Sequence, residues 1–97
     1  MERVYENALV HKLGKTGLQV EQQKPLQVWY DGVVVGNYQA DLLVEAAVIV
    51  ELKAVTALDN RHVAQCMNYL KATGLTLGLV INFGNPKVEI KRVVRNF

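Results

Sequence analysis

The sequence predicts an α/β protein of the α+β mixed-sheet kind, with helices packed on strands that run both antiparallel and parallel. Three stretches carry this expectation. "LQVWYDGVVVG" (residues 26–36) places Asp31-Gly32 between β-branched and aromatic residues, the signature of a two-residue hairpin. "VIVELKAV" (48–55) and "LTLGLVINF" (75–83) are apolar runs of strand length on either side of a helical stretch, "LDNRHVAQCMNYLKATG" (58–74). That strand–helix–strand unit predicts two parallel strands joined by a right-handed crossover.

Element by element, "ERVYENALVHKLGKTG" spaces Val4, Ala8, Leu9 and Leu13 near helical period, with Gly14 and Gly17 as stops, so a helix is expected over residues 2–14. "LQVEQQ" alternates and predicts a strand. The Asp31-Gly32 hairpin follows, and Tyr38–Val44 predicts a further strand that breaks at Glu45-Ala46-Ala47. After "VIVELKAV" comes the second helix, capped by Asp59 or Asn60 and closed by Gly74. Val63, Met67 and Leu70 are its expected buried stripe. "LTLGLVINF", a turn at Gly84-Asn85-Pro86 and a last strand in "VEIKRVV" finish the chain. The expected order is α-β-β-β-β-α-β-β.

A chain of 97 residues suits one domain, 1–97, with a modest core. About half of it is apolar and about a fifth charged, the balance of a soluble globular protein. No apolar run approaches the roughly 20 residues a membrane helix needs, and "MERVYENALVHK" has no signal-peptide core. The one cysteine, Cys66, has no partner for an internal disulfide or a zinc site; a reducing, cytoplasmic setting is expected. The net charge of +2 is too mild to specify nucleic acid, although Lys91, Arg92 and Arg95 gather positive charge near the C-terminus. That group fits either a solvated strand face or a phosphate contact. His11 and His62 lack metal-binding spacing and are expected as surface or helix-flank residues.

The chemistry is concentrated in "DLLVEAAVIVELK" (41–53). With the bend centred on Ala46, Asp41 and Glu51 are each five positions away and face each other across a ladder. Facing residues share a side of the sheet, and like charges opposed there are destabilising. A divalent cation would relieve the repulsion, because Mg²⁺ is commonly held by one or two carboxylates with water and substrate phosphate. Lys53, two residues beyond Glu51, shares that side. It could hold a water or offset developing negative charge. Gln65 and Tyr69 stand at i and i+4 on the second helix and share a face. The plainer alternative is an exposed face with two solvated carboxylates, a salt-bridging Lys53 and a polar helix flank.

Asp41, Glu51-Leu52-Lys53, Gln65 and Tyr69 resemble the PD-(D/E)XK nuclease motif set. The phrases "ERVYENAL", "LQVEQQKPLQVWYDG", "YQADLLVE", "VIVELKAV", "AQCMNYLKATGLTLGLVINFG" and "IKRVV" run in order over nearly the whole chain. Together they resemble the GxxExxY family, a bacterial branch of that superfamily. The resemblance implies a restriction-endonuclease-like core and a hydrolase using Mg²⁺ or Mn²⁺. It makes Asp41 and Glu51 metal ligands and Lys53 the catalytic lysine, with Gln65 and Tyr69 as accessory residues. Glu2 and Tyr5 match the Glu and Tyr of the family motif, and Glu2 would support the metal from the first helix. The motif's Gly lies before the start of this sequence, where family members usually carry another helical segment.

Two functions compete. One is a Mg²⁺-dependent nuclease whose metal-activated water attacks a phosphodiester, DNA ahead of RNA. The other is a non-catalytic nuclease-fold module that binds nucleic acid or protein. The apolar face of the first helix and open strand edges also lead us to expect a homodimer.

Overall fold

In the computed structural model, residues 1–96 are described. Helix α1 (Glu2–Lys15) leads into β1 (Val20–Tyr30), β2 (Val33–Val44) and β3 (Val48–Lys53); helix α2 (Asn60–Thr73) follows, then β4 (Leu77–Asn82) and β5 (Glu89–Val94). The five strands form one sheet in the order β1-β2-β3-β4-β5. β3 and β4 are parallel across α2, and the other neighbours are antiparallel. This is the mixed sheet the sequence predicts.

Three strands rather than four precede α2. "LQVEQQ" and "LQVWY" join into the single strand β1, which passes through Pro25 opposite Gln39. β1 is an edge strand, where proline's missing N–H costs no ladder bond. The hairpin turns at Asp31 and Gly32, with φ of 51° and 74°, as a two-residue turn of this hand requires. The next bend puts Glu45 and Ala46 in the same left-handed region, at 55° and 52°, without a glycine. There Gln19 N–H donates to Glu45 Oε2 at 2.8 Å and Glu45 N–H to the Gln19 carbonyl at 2.8 Å. These two bonds offset the backbone cost.

The sheet has a helix on each face. On one, α2 buries Cys66, Tyr69 and Leu70 against Leu26, Leu43, Ile49, Val80 and Val93. Of the expected stripe Leu70 is fully buried, while Val63 and Met67 are half-buried at the margin of that cluster. The helix lies so close to β4 that a Cβ at Gly78 would collide with Cys66 Sγ. Asp59 caps α2: its carboxylate accepts from Arg61 N–H at 2.9 Å, while its own N–H donates to His62 Nδ1 at 3.0 Å. Gly74 closes the helix at φ 75°. On the other face, α1 lays Leu9, Val10 and Leu13 on Leu42, Val44, Val50 and Leu52. Its stripe is rotated from the expected one: Val4 and Ala8 are exposed, and the buried residue of the helix is Glu6. No helix among the described residues is long and apolar enough to cross a membrane.

Candidate active site

β2 and β3 pair at Leu42–Val50, Leu43–Ile49 and Val44–Val48. The next step of that register is Asp41 opposite Glu51, and there side chains replace the backbone ladder. Asp41 N–H donates to Glu51 Oε2 at 3.3 Å, and Leu52 N–H donates to Asp41 Oδ2 at 2.8 Å. Each carboxylate thus bonds to the partner strand's backbone, and the two acids are held side by side.

Glu51 is 3% exposed, and its Oε1 is the one buried side-chain polar atom without a hydrogen-bond partner among the described residues. Burial, reinforced by the neighbouring Asp41, pushes its pKa up from 4.5 to about 9. Opposite-charge relief from Lys53 is a smaller effect in the other direction. An orphaned oxygen beside a second carboxylate is a place that gains from a cation.

Lys53 Nζ donates to Gln65 Oε1 at 2.9 Å, tying the end of β3 to α2. Tyr69, one turn beyond Gln65, is buried beneath the sheet. Burial and then the charges of Glu51 and Asp41 push its hydroxyl up to about 12, so it stays protonated and able to donate. Burial and Glu51 likewise raise the Cys66 thiol to about 11, which makes it unreactive as a nucleophile. Asp41, Glu51, Lys53, Gln65 and Tyr69 therefore gather on the α2 side of the β2–β3 junction.

Glu2 is exposed in the first turn of α1. The carboxylate that α1 buries is Glu6, at 3% exposure. Gln22 Nε2 donates to it at 2.8 Å and Gln23 Nε2 at 2.9 Å. Gln23 has φ 49° and falls in the β1–β2 register at the position facing Asp41. Sequence reading missed Glu6, although its spacing of i, i+3, i+4 and i+7 with Leu9, Val10 and Leu13 places it on the buried stripe. Tyr5, the other motif residue on α1, stacks on Phe83 with ring centroids 4.5 Å apart.

Lys91 and Arg92 are adjacent on β5 and so point to opposite faces. Arg95 Nε donates to the Leu75 carbonyl at 3.1 Å. The three cations do not converge on one patch.

A five-stranded mixed sheet whose central strands part at an Asp and a Glu-x-Lys, beside a helix presenting Gln and Tyr, is a nuclease-like α+β core. The PD-(D/E)XK nuclease superfamily model matches residues 1–93, and the chain belongs to that superfamily. Among solved structures, the crystal structure of SSO0001 is similar in fold, with a TM-score of 0.65 at 14% identity. The match covers 99% of this chain and 51% of that one, so the chain spans about half the length of this structural relative. No curated protein matches the sequence.

Proposed function

We propose that the chain is a Mg²⁺- or Mn²⁺-dependent nuclease of the GxxExxY branch, hydrolysing phosphodiesters in nucleic acid, DNA ahead of RNA. The observation that carries this reading is the Asp41–Glu51 pair, with its buried, unpartnered Glu51 Oε1. The residues fit a divalent cation. No group of three or more His, Cys, Asp and Glu able to hold a metal occurs among the described residues. Two carboxylates are nonetheless what Mg²⁺ commonly takes from a protein, the rest being water and phosphate. When bound, such an ion supplies an acidified water and charge stabilisation on the phosphoryl group.

The chain's own residues have distinct tasks. Asp41 and Glu51 hold the cation, and the backbone bonds at Asp41 N–H and Leu52 N–H keep their carboxylates in place. Lys53 directs its ammonium at the negative charge that develops on phosphate, and Gln65 Oε1 fixes its direction. Tyr69 remains a neutral hydrogen-bond donor throughout the neutral pH range. Glu2 is the reading's candidate for a supporting carboxylate from α1. The presence of Asp41, Glu51 and Lys53 together favours an enzyme over a binding module.

The same reading takes the chain as a homodimer in a reducing, cytoplasmic setting. Support for the dimer is an apolar hollow of about 220 Å³ between α1 and the sheet, lined by residues including Leu9, Leu13, Leu79 and Ile81. Ile90 and Val94, paired with Ile81 and Leu77 on β4, are exposed on β5. The lone, buried thiol of Cys66 supports the compartment.

Incubation with plasmid, single-stranded DNA and RNA in Mg²⁺ tests the activity. Cleavage by the wild type that is absent in Asp41→Ala is expected. Equal cleavage by both would show a contaminating nuclease and remove the reading.

A further inference from the structure

The β1–β2 hairpin runs past the rest of the sheet. β3 pairs with β2 only from Leu42 to Val44, so the hairpin from about Pro25 to Gln39 is a two-stranded arm. Its aromatic residues are open to solvent: Trp29 is 61% exposed and Tyr38 48%. Between this arm and α2 lies a cleft of about 560 Å³, lined by Gln27, Trp29, Tyr38, Asn68 and Lys71 among others. An adjoining hollow shares Gln27, Trp29 and Tyr38 and adds Asn37 and Gln39.

The lining has a definite chemistry. Two aromatic rings are interleaved with four amide side chains and one lysine, and no carboxylate lines either hollow. The amides can donate and accept at base edges. Pro25, Leu26, Val28 and Ala72 supply the aliphatic part of the lining, between and beneath the rings and amides. A polyanion with flat rings matches both the charge and the aromatic faces.

The cleft also connects to the candidate active site. Tyr38 lies 5.7 Å from Tyr69, ring centroid to centroid, at a 52° tilt. Gly36 leaves room for this ring: a Cβ at that position would sit 3.1 Å from a Tyr38 ring carbon. Tyr69 in turn is within electrostatic reach of Glu51 and Asp41.

We infer that this cleft is a nucleobase-stacking subsite for single-stranded nucleic acid. Trp29 and Tyr38 are the stacking platforms and Lys71 contacts the backbone phosphate. Bases stacked within a duplex hide their faces, so the subsite selects unpaired strands or frayed ends. The path of that strand toward Asp41 and Glu51 rests on the nuclease reading; the stacking itself does not.

Trp29 is the only tryptophan of the chain, so its fluorescence reports the subsite directly. The full chain is titrated with a short oligothymidylate in EDTA, where no cleavage occurs. Saturable quenching of Trp29 is expected, with much weaker quenching by the same length of duplex. By fluorescence anisotropy, Trp29→Ala and Tyr38→Ala should each weaken binding ~10-fold or more, and Tyr38→Phe should retain it. Equal quenching by an abasic oligomer, or none by oligothymidylate, overturns the inference. So does a Trp29 signal that follows protein concentration alone, which would mark a contact between copies. Quenching without Mg²⁺-dependent cleavage would sink the nuclease reading and leave the subsite standing; cleavage without quenching would do the reverse.

Discussion

Glu51 reaches from β3 across the strand junction to accept the backbone N–H of Asp41 through Oε2, while its Oε1 is buried with no partner. One carboxylate thus has a structural oxygen and a vacant one. The structural oxygen sets the separation of the two acids, and the vacant one makes the site costly to keep ionised without a cation.

That cost predicts a pH dependence of stability. In the native state Glu51 holds its proton up to about 9, whereas an unfolded glutamate loses it near 4.5. The stabilisation is therefore complete below the lower value and is lost as pH rises through the higher one. Melting in EDTA across this range should show wild type losing stability relative to Glu51→Gln, whose side chain does not titrate. Parallel curves for the two proteins would refute the buried-acid account.

Lys53 is held by Gln65 and does not bond to either carboxylate. Lys53→Ala should therefore lower kcat by about 10²–10³-fold, the usual cost of one charge-stabilising donor, while leaving Mg²⁺ affinity near wild type. Gln65→Ala should give a smaller loss in kcat, because it releases Lys53 without removing it. A Lys53→Ala protein that binds metal poorly yet turns over normally once saturated would reverse the assignment.

Glu6 anchors α1 to β1 through Gln22 and Gln23. Glu6→Ala leaves Gln23 Nε2 without its acceptor in a partly buried position, while Gln22 Nε2 keeps Asn7 Oδ1; the loss of the Gln23 acceptor costs about 1–3 kcal/mol. Denaturant unfolding measures this directly. A change within a few tenths of a kcal/mol would show that the Gln22 and Gln23 bonds carry no net stability.

At Gly78 the expectation is steric. Gly78→Ala drives a methyl into Cys66 Sγ and should destabilise by about 1–3 kcal/mol, as overpacking does. Adding Cys66→Ala should recover part of that loss by vacating the space. Additive losses in the double variant would place the strain elsewhere.

Much of the candidate site was legible in the sequence because strand geometry is periodic. Equal spacing of Asp41 and Glu51 about Ala46 is enough to pair them, and the structure continues the Leu42–Val50 register to that pair. The hydrogen bond from Lys53 to Gln65 was not legible, because it depends on how α2 sits against the end of β3. Glu6 was hidden because a glutamate on a short helix reads as solvent-facing unless its amide partners, distant in sequence, are known. The continuity of β1 through Pro25 was hidden for a related reason: proline forbids a central strand but not an edge, and edge position is a property of the whole sheet. α1 rotated from its expected stripe because the sheet buries Glu6 in place of Val4.

The central claim is that Asp41 and Glu51 form a divalent-cation site, and the most direct test is calorimetric titration of the purified chain with Mn²⁺ and Mg²⁺ at neutral pH. Saturable binding accompanied by proton release from Glu51 is the predicted result, with both heat and proton release abolished in Asp41→Ala and Glu51→Ala. Absence of binding to the wild type, or undiminished binding to the two variants, would contradict it.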